Sequence, residues 1–303
     1  MIARLFVTVL LLAIASSTTV RTAAQPAFET PEAAVKALLE AVRQVRVEPL
    51  LALFGTDGSG LVDSSDPVTA RRNRDVFAAA AAEEWQLVDA GADSKTLVVG
   101  RERWPFPVPL VRGSGGWRFD AARGKEEVLA RRIGRNELGV IRVCQVYVAA
   151  QRLYAQTGRD GQPAGAYAQR FRSDPGKQNG LYWPAARGEK RSPLGDLAAG
   201  AALDEHKGTA GAAVPFHGYY YRILTAQGPS APGGAKDYRK AGQLVGGFAL
   251  VAWPAEYGVT GIMTFVVNQD GVVREKDLVP ETPTLAEGMR TYDPDASWSA
   301  SEP

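Results

Sequence analysis

Residues 216–278 carry three runs, FHGYYYRILTAQG (216–228), LVGGFALVAWPAEYG (244–258) and TGIMTFVVNQDGVVREKDL (260–278), that set the architecture of the C-terminal part of the chain. Each run is rich in β-branched and aromatic residues, and Gly, Pro and Asp-Gly punctuation separates them, as in neighbouring antiparallel strands joined by turns. In YYYRIL, alternation places Tyr219, Tyr221 and Ile223 on one face and Tyr220, Arg222 and Leu224 on the other. GGFALVAW (246–253) is almost continuously apolar and is expected as the central strand. IMTFVVN should pair with VVREKDL through NQDG, with Asp270 and Gly271 supplying positive dihedrals.

Upstream the period is helical. Thr30-Pro31-Glu32 combines a capping hydroxyl, a proline at the first helical position and an acid in the first turn, after which Val35, Leu38, Leu39 and Val42 share a face. Glu48 to Phe54 is a short helix stopped by Gly55, and Asp66-Pro67 starts another that runs to about Glu84 through polar RRNR and apolar VFAAAAA. From Trp85 the runs WQLVDA, KTLVVG, WPFPVPLV and GWRFD read as strands, with the alternating prolines 105, 107 and 109 placing the third at an edge. Helices are expected over Lys125–Ile133 and, capped by Asn136, over the following twenty or so residues, with Cys144 packed as a small hydrophobe. Gly- and Pro-rich turns fill 157–214, where short helices are expected at Pro163–Phe171 and Leu194–Leu203 and aromatics dock on a sheet.

These readings make the chain α+β: N-terminal helices on a curved antiparallel sheet, followed by a C-terminal antiparallel β-meander with short wrapping helices. The first half resembles in outline the cone of nuclear transport factor 2-like domains. Residues 1–24 read as a signal peptide, with Arg4 as the positive region, an apolar run over Leu5–Ala15 and cleavage after Ala24. The expected domains are 25–156 (cone-like), 157–214 (wrapping segment) and 215–303 (sheet), and the expected location is periplasmic or secreted, with no membrane span after signal removal.

Removing Arg4 and Arg21 leaves 33 basic residues against 33 acidic ones, so the footprint of a nucleic-acid binder is missing. The chain holds a single cysteine and two histidines, His206 and His217. Metal-protease, nucleophile-elbow, phosphate-loop and dinucleotide motifs are absent, so no catalytic residue, metal or cofactor is expected. Four residues stand out as ligand-binding candidates. His217 enters a strand beside three tyrosines, Arg222 and Glu256 are charges in apolar surroundings that require partners, and Tyr257 lies beside Glu256 in the 254–258 loop.

WPFPVPLV with GGWRFD, GRNELGVIRVCQVYVAAQRLYA (134–155), YAQRF with PGKQNGLYWP, GYYYRILTAQGP with APGGAKDY, and the run 246–278 together resemble the bacterial exported family known as domain of unknown function 2950. The likeness covers nearly the whole chain after the signal and implies no activity, cofactor or site. Val279 is a departure, since the resemblance leads one to expect glycine after Asp277-Leu278. Export, a neutral charge balance and the missing catalytic set point to a non-enzymatic binding or structural module that meets a cell-envelope component or a protein partner. The alternative is a small-ligand carrier or enzyme using a pocket in the first half, with Trp104 and Trp117 as lining residues.

Overall fold

Thr30 opens the first helix: its backbone is extended and its Oγ1 accepts the Ala33 N–H at 3.2 Å. The structure is a computed structural model that describes residues 25–44, 46–55, 58–62, 67–160, 162–185, 191–195 and 215–302. The proposed signal peptide, Asp66, His206 and most of the expected helix 194–203 lie outside the described residues. The chain forms two compact units, one ending at Val128 and the other beginning at Leu129.

In the first unit, helices α1 (Pro31–Arg43), α2 (Glu48–Phe54), α3 (Ser59–Val62) and α4 (Pro67–Glu83) precede strands β1 (Trp85–Gly91), β2 (Ser94–Val99), β3 (Trp104–Pro105), β4 (Leu110–Gly113) and β5 (Gly116–Phe119). Gly55, at φ +70°, ends α2 in a conformation that glycine adopts without strain. The strands form one antiparallel sheet ordered β1-β2-β4-β5, with β3 attached to β2. WPFPVPLV is therefore two strands rather than one edge strand: β3 pairs only β2, whereas β4 lies inside the sheet between β2 and β5. Prolines 107 and 109, which cannot donate to a ladder, fall in the break. Leu38, Leu53, Phe54, Leu97, Leu110 and Phe119 are among the side chains buried where α1, α2 and α4 meet the sheet.

A single 35-residue helix, α5 (Ala121–Ala155), replaces the two expected helices. Asp120, not Asn136, serves its start, accepting the Arg123 N–H at 3.1 Å. Asn136 sits within the helix, and its side chain reaches out to donate to the Thr260 carbonyl at 2.8 Å. A residue used in this way does not compete with the helix for its own backbone groups, which is why a capping residue type is tolerated there.

In the second unit the main sheet contains β6 (Tyr219–Leu224), then, after the two-residue strands β7 (Ala226–Gln227), β8 (Lys236–Asp237), β9 (Arg239–Lys240) and β10 (Gln243–Leu244), β11 (Ala249–Pro254), β12 (Met263–Asn268), β13 (Arg274–Asp277) and β14 (Ser299–Ala300). The order is β14-β13-β12-β11-β6, all antiparallel. All six residues of β11 are buried. The β12–β13 turn differs in one detail from expectation: Gly271 alone takes a positive φ (+86°), and Asp270 instead accepts the Asn268 side-chain amide on its carboxylate and donates its backbone N–H to Asn268 Oδ1.

Helix α5 covers one face of this sheet. Glu137 Oε1 accepts the backbone N–H groups of Ile262 (2.9 Å) and Met263 (3.0 Å) and lies 3.3 Å from the Tyr219 hydroxyl, while the Tyr147 hydroxyl donates to the Ala249 carbonyl at 3.1 Å. Helix α6 (Thr282–Gly288) packs on β11 across the other face of the sheet, the side from which Arg222 reaches its carbonyls. No helix forms at 163–171. Tyr167 instead bridges to Leu244 and sets its ring 4.7 Å from that of Phe248, and Phe171 packs on Tyr147. The fully buried Gln151 holds this segment by mimicking a backbone partner: its Oε1 accepts the Ala168 N–H and its Nε2 donates to the Ala168 carbonyl, both at 2.8 Å.

Cys144 is fully buried, and desolvation pushes its thiol from the ordinary 9.0 up to about 12. The thiol should therefore resist a disulfide reagent at pH 8 until denaturant is added, as followed by absorbance. Because the folded value exceeds the unfolded one, the stability this group contributes is present below pH 9.0 and is lost as pH rises toward 12. Val279 stands at φ +55° with half its surface exposed, a β-branched residue in the left-handed region where the resemblance led to glycine. Relief of about 1–2 kcal/mol of backbone strain against glycine's larger unfolded-state entropy predicts that Val279→Gly stabilises by about 0.5–1 kcal/mol in urea denaturation.

Candidate functional site

The spacing of Ala70, Asn73, Arg74 and Phe77 puts four residues of α4 on one helical face. They line one wall of a cavity of about 260 Å³ in the first unit. Leu38 and Val42 of α1 and Leu50 and Phe54 of α2 form a second wall, and Trp104, Phe106 and Val108 close it from the sheet side. Aromatic contacts make that wall stiff: the Phe77 ring lies 5.1 Å from Phe106 and 6.4 Å from Trp104, and Phe106 also meets Phe54. Trp104 is 45% exposed, so the cavity's aromatic rim reaches solvent. Trp117, the other expected lining residue, is buried in the core and is not part of the wall. Arg74 is half-buried and, among the described residues, makes no hydrogen bond or ion pair.

The four residues singled out in the sequence occupy different settings. His217 and Gly218, at φ +48° and +72°, form the two-residue tip of a tight turn closed by reciprocal hydrogen bonds between Phe216 and Tyr219. The exposed His217 ring packs over Gly139 of α5, where an added Cβ would come within 2.9 Å of the imidazole. Glu256 is exposed, in a loop whose Ala255 N–H donates to the Gly218 carbonyl and whose Glu256 N–H donates to Thr260 Oγ1. The His217 turn and the Glu256 loop thus share one end of the sheet. Tyr257 donates its hydroxyl to Asp277 at 3.1 Å, and desolvation with the neighbouring carboxylate raises its pKa. Arg222 lies further along β6, opposite Val251, and its Nη1 donates to the carbonyls of Ala286 (3.3 Å), Glu287 (2.8 Å) and Met289 (3.3 Å). Its guanidinium carbon is 4.9 Å from the Trp253 ring centre. A cation at the C-terminal end of α6, stacked on an indole, accounts for this charge in an apolar sheet.

The family described as protein of unknown function (DUF2950) matches residues 25–301. The chain belongs to this family. No curated protein and no solved structure matches it. Among the described residues of this family member, no helix is long and apolar enough to cross a membrane, and no group of three or more His, Cys, Asp or Glu is placed to hold a metal ion.

The cavity wall on α4 was not picked out from the sequence, although a signal was present. Asn73 and Arg74 belong to the polar RRNR stretch, yet they share the helical face of Phe77, and polar residues on a core-facing stripe mark a site or a buried partner. Substituting Arg222 with Met should keep the stem over Trp253 and remove the carbonyl contacts. The expected result is a loss of about 1–2 kcal/mol of stability and faster amide exchange in residues 282–288, measured by mass spectrometry.

Proposed function

We propose that this protein is a non-enzymatic, exported binding protein that holds a small, mainly apolar molecule in the cavity of its first unit. The carrying observation is the cavity itself, about 260 Å³ bounded by Leu, Val, Phe and Trp side chains that do not fill it. Apolar cavities of ~150 Å³ already accept benzene, so this space suits a single ring system or a medium-length acyl chain. Trp104 at the rim and Asn73 and Arg74 on the α4 wall give such a ligand a polar or anionic end to meet. Among the described residues Arg74 is the sole titratable side chain in the lining, which supports carriage over catalysis, because proton transfer would need an acid or base of suitable pKa in the wall. The apolar run and cleavage motif at 1–24 support delivery to the cell envelope.

Titration with N-phenyl-1-naphthylamine, followed by its fluorescence and by displacement with decanoate, tests this reading. Binding in the micromolar range is expected, at about −8 kcal/mol. Ala70→Phe, which fills the cavity from an accessible helix face, should weaken it at least tenfold without lowering the melting temperature. Equal affinity in the variant and the parent would sink the assignment of the cavity.

A further inference from the structure

The cavity of the first unit is graded from apolar to polar. Leu38, Leu50, Phe54 and Val108 of its lining are buried, Arg74 and Phe77 are half-buried, and Asn73 and Trp104 are exposed. The aliphatic wall is therefore the deep part, and the two polar side chains of α4 stand where the space meets solvent. Among the described residues Arg74 makes no hydrogen bond or ion pair. Its neighbours one turn away on α4 are Ala70, Arg71, Phe77 and Ala78, so the helix brings it no carboxylate and adds a second cation. A half-buried guanidinium has lost part of its hydration, and none of the described groups replaces it. An anion arriving there gains a charge-assisted contact that the fold does not already make.

Charge and size narrow the class of that anion. One guanidinium in the lining balances one carboxylate, and its planar fork matches the two carboxylate oxygens. A phosphate monoester, at about −1.5 to −2 near pH 7, would leave negative charge unmet beside an apolar wall. Asn73 is the other amide- or charge-bearing side chain among the described lining residues, too little to meet the hydroxyl groups of a sugar. Scaled from benzene in a cavity of ~150 Å³, a space of about 260 Å³ holds roughly ten non-hydrogen atoms. Octanoate or a phenylpropionate is of this size.

We infer, resting on the reading of this cavity as a carrier site, that its ligand is an amphiphilic monocarboxylate of about ten non-hydrogen atoms. The tail lies inward against Leu38, Leu50, Phe54 and Val108, and the carboxylate meets Arg74 and Asn73 at the solvent edge. Displacement of N-phenyl-1-naphthylamine by octanoate, 1-octanol and octylamine, in the parent and in Arg74→Met, tests it. In the parent, octanoate should act at a concentration at least about tenfold below that of 1-octanol, and octylamine should be weakest. Arg74→Met keeps an apolar stem on the wall and removes the charge. It should weaken octanoate about tenfold and leave the probe and 1-octanol within about twofold. The melting temperature should hold, since no described hydrogen bond or ion pair of the fold depends on Arg74. From hexanoate to tetradecanoate the affinity should stop rising by decanoate, where the deep wall is filled. If the probe binds and Ala70→Phe excludes it, yet octanoate is no better than 1-octanol or Arg74→Met binds octanoate as the parent does, the carboxylate assignment falls and the cavity reading stands. If the probe does not bind, or Ala70→Phe retains it, the cavity reading falls and takes the ligand class with it. Affinity that climbs steadily to tetradecanoate would overturn the tail-inward seating.

Discussion

Strand β11 is buried along its whole length, and most of the second unit follows from that constraint. A strand buried on both faces needs partners at both edges and cover above and below. The edges are taken by β6 and β12, in registers that pair Ala252 with Tyr221 on one side and with Phe265 on the other. Cover comes from α5 on the face of Tyr219 and Tyr221 and from α6 on the face of Arg222 and Trp253. A one-residue slip of β6 would exchange those faces, sending Arg222 into the core beside Cys144 and tyrosines toward α6.

Each covering layer is pinned by polar groups that the apolar contacts alone would leave free to slide. On the α5 side, Glu137 receives two backbone N–H groups at the start of β12, and Gln151 completes the hydrogen bonding of Ala168. On the α6 side, Arg222 takes up the helix's last carbonyls. These contacts have direction, unlike burial, and losing one partner would leave a buried donor or acceptor unmet, which is why they fix position. Gly261 belongs to the same device: a Cβ there would come within 2.0 Å of the Tyr219 hydroxyl, so its absence lets that ring reach Met263 and Glu137.

The same chemistry supports two different uses of polar residues. Where a charge is wholly met by the fold, as with Glu137 on its backbone donors, it positions an element. Where polar side chains face a space the fold does not fill, as with Asn73 and Arg74 in the first unit, they are left on the wall of a cavity. Arg222 belongs with Glu137, since its bonds to the α6 carbonyls hold that helix on the sheet.

The α+β class, the strand runs from Trp85 onward, the α1 cap at Thr30, the stop at Gly55, the alternation of Tyr219 to Leu224 and the burial of Cys144 were legible in the residues, because each depends on local period, capping or composition. The unusual place of Val279 was legible as well, through the resemblance to its family. Other features depended on contacts distant in sequence. Asn136 looks like a cap until Thr260, 124 residues away, is seen to take its side-chain amide. WPFPVPLV looks like one strand until β2 pairs with its two ends separately. The residues at 163–171 have helical spacing but give their backbone and rings to Leu244, Phe248 and Gln151. Likewise, local reading could mark Arg222 as a charge needing company, but the α6 carbonyls that meet it, more than 60 residues away, are brought there by chain folding, and nothing in sequence spacing encodes that meeting. Local physics set which elements form; the pairing of distant strands, and the burial it forces, set which side chains face the same space.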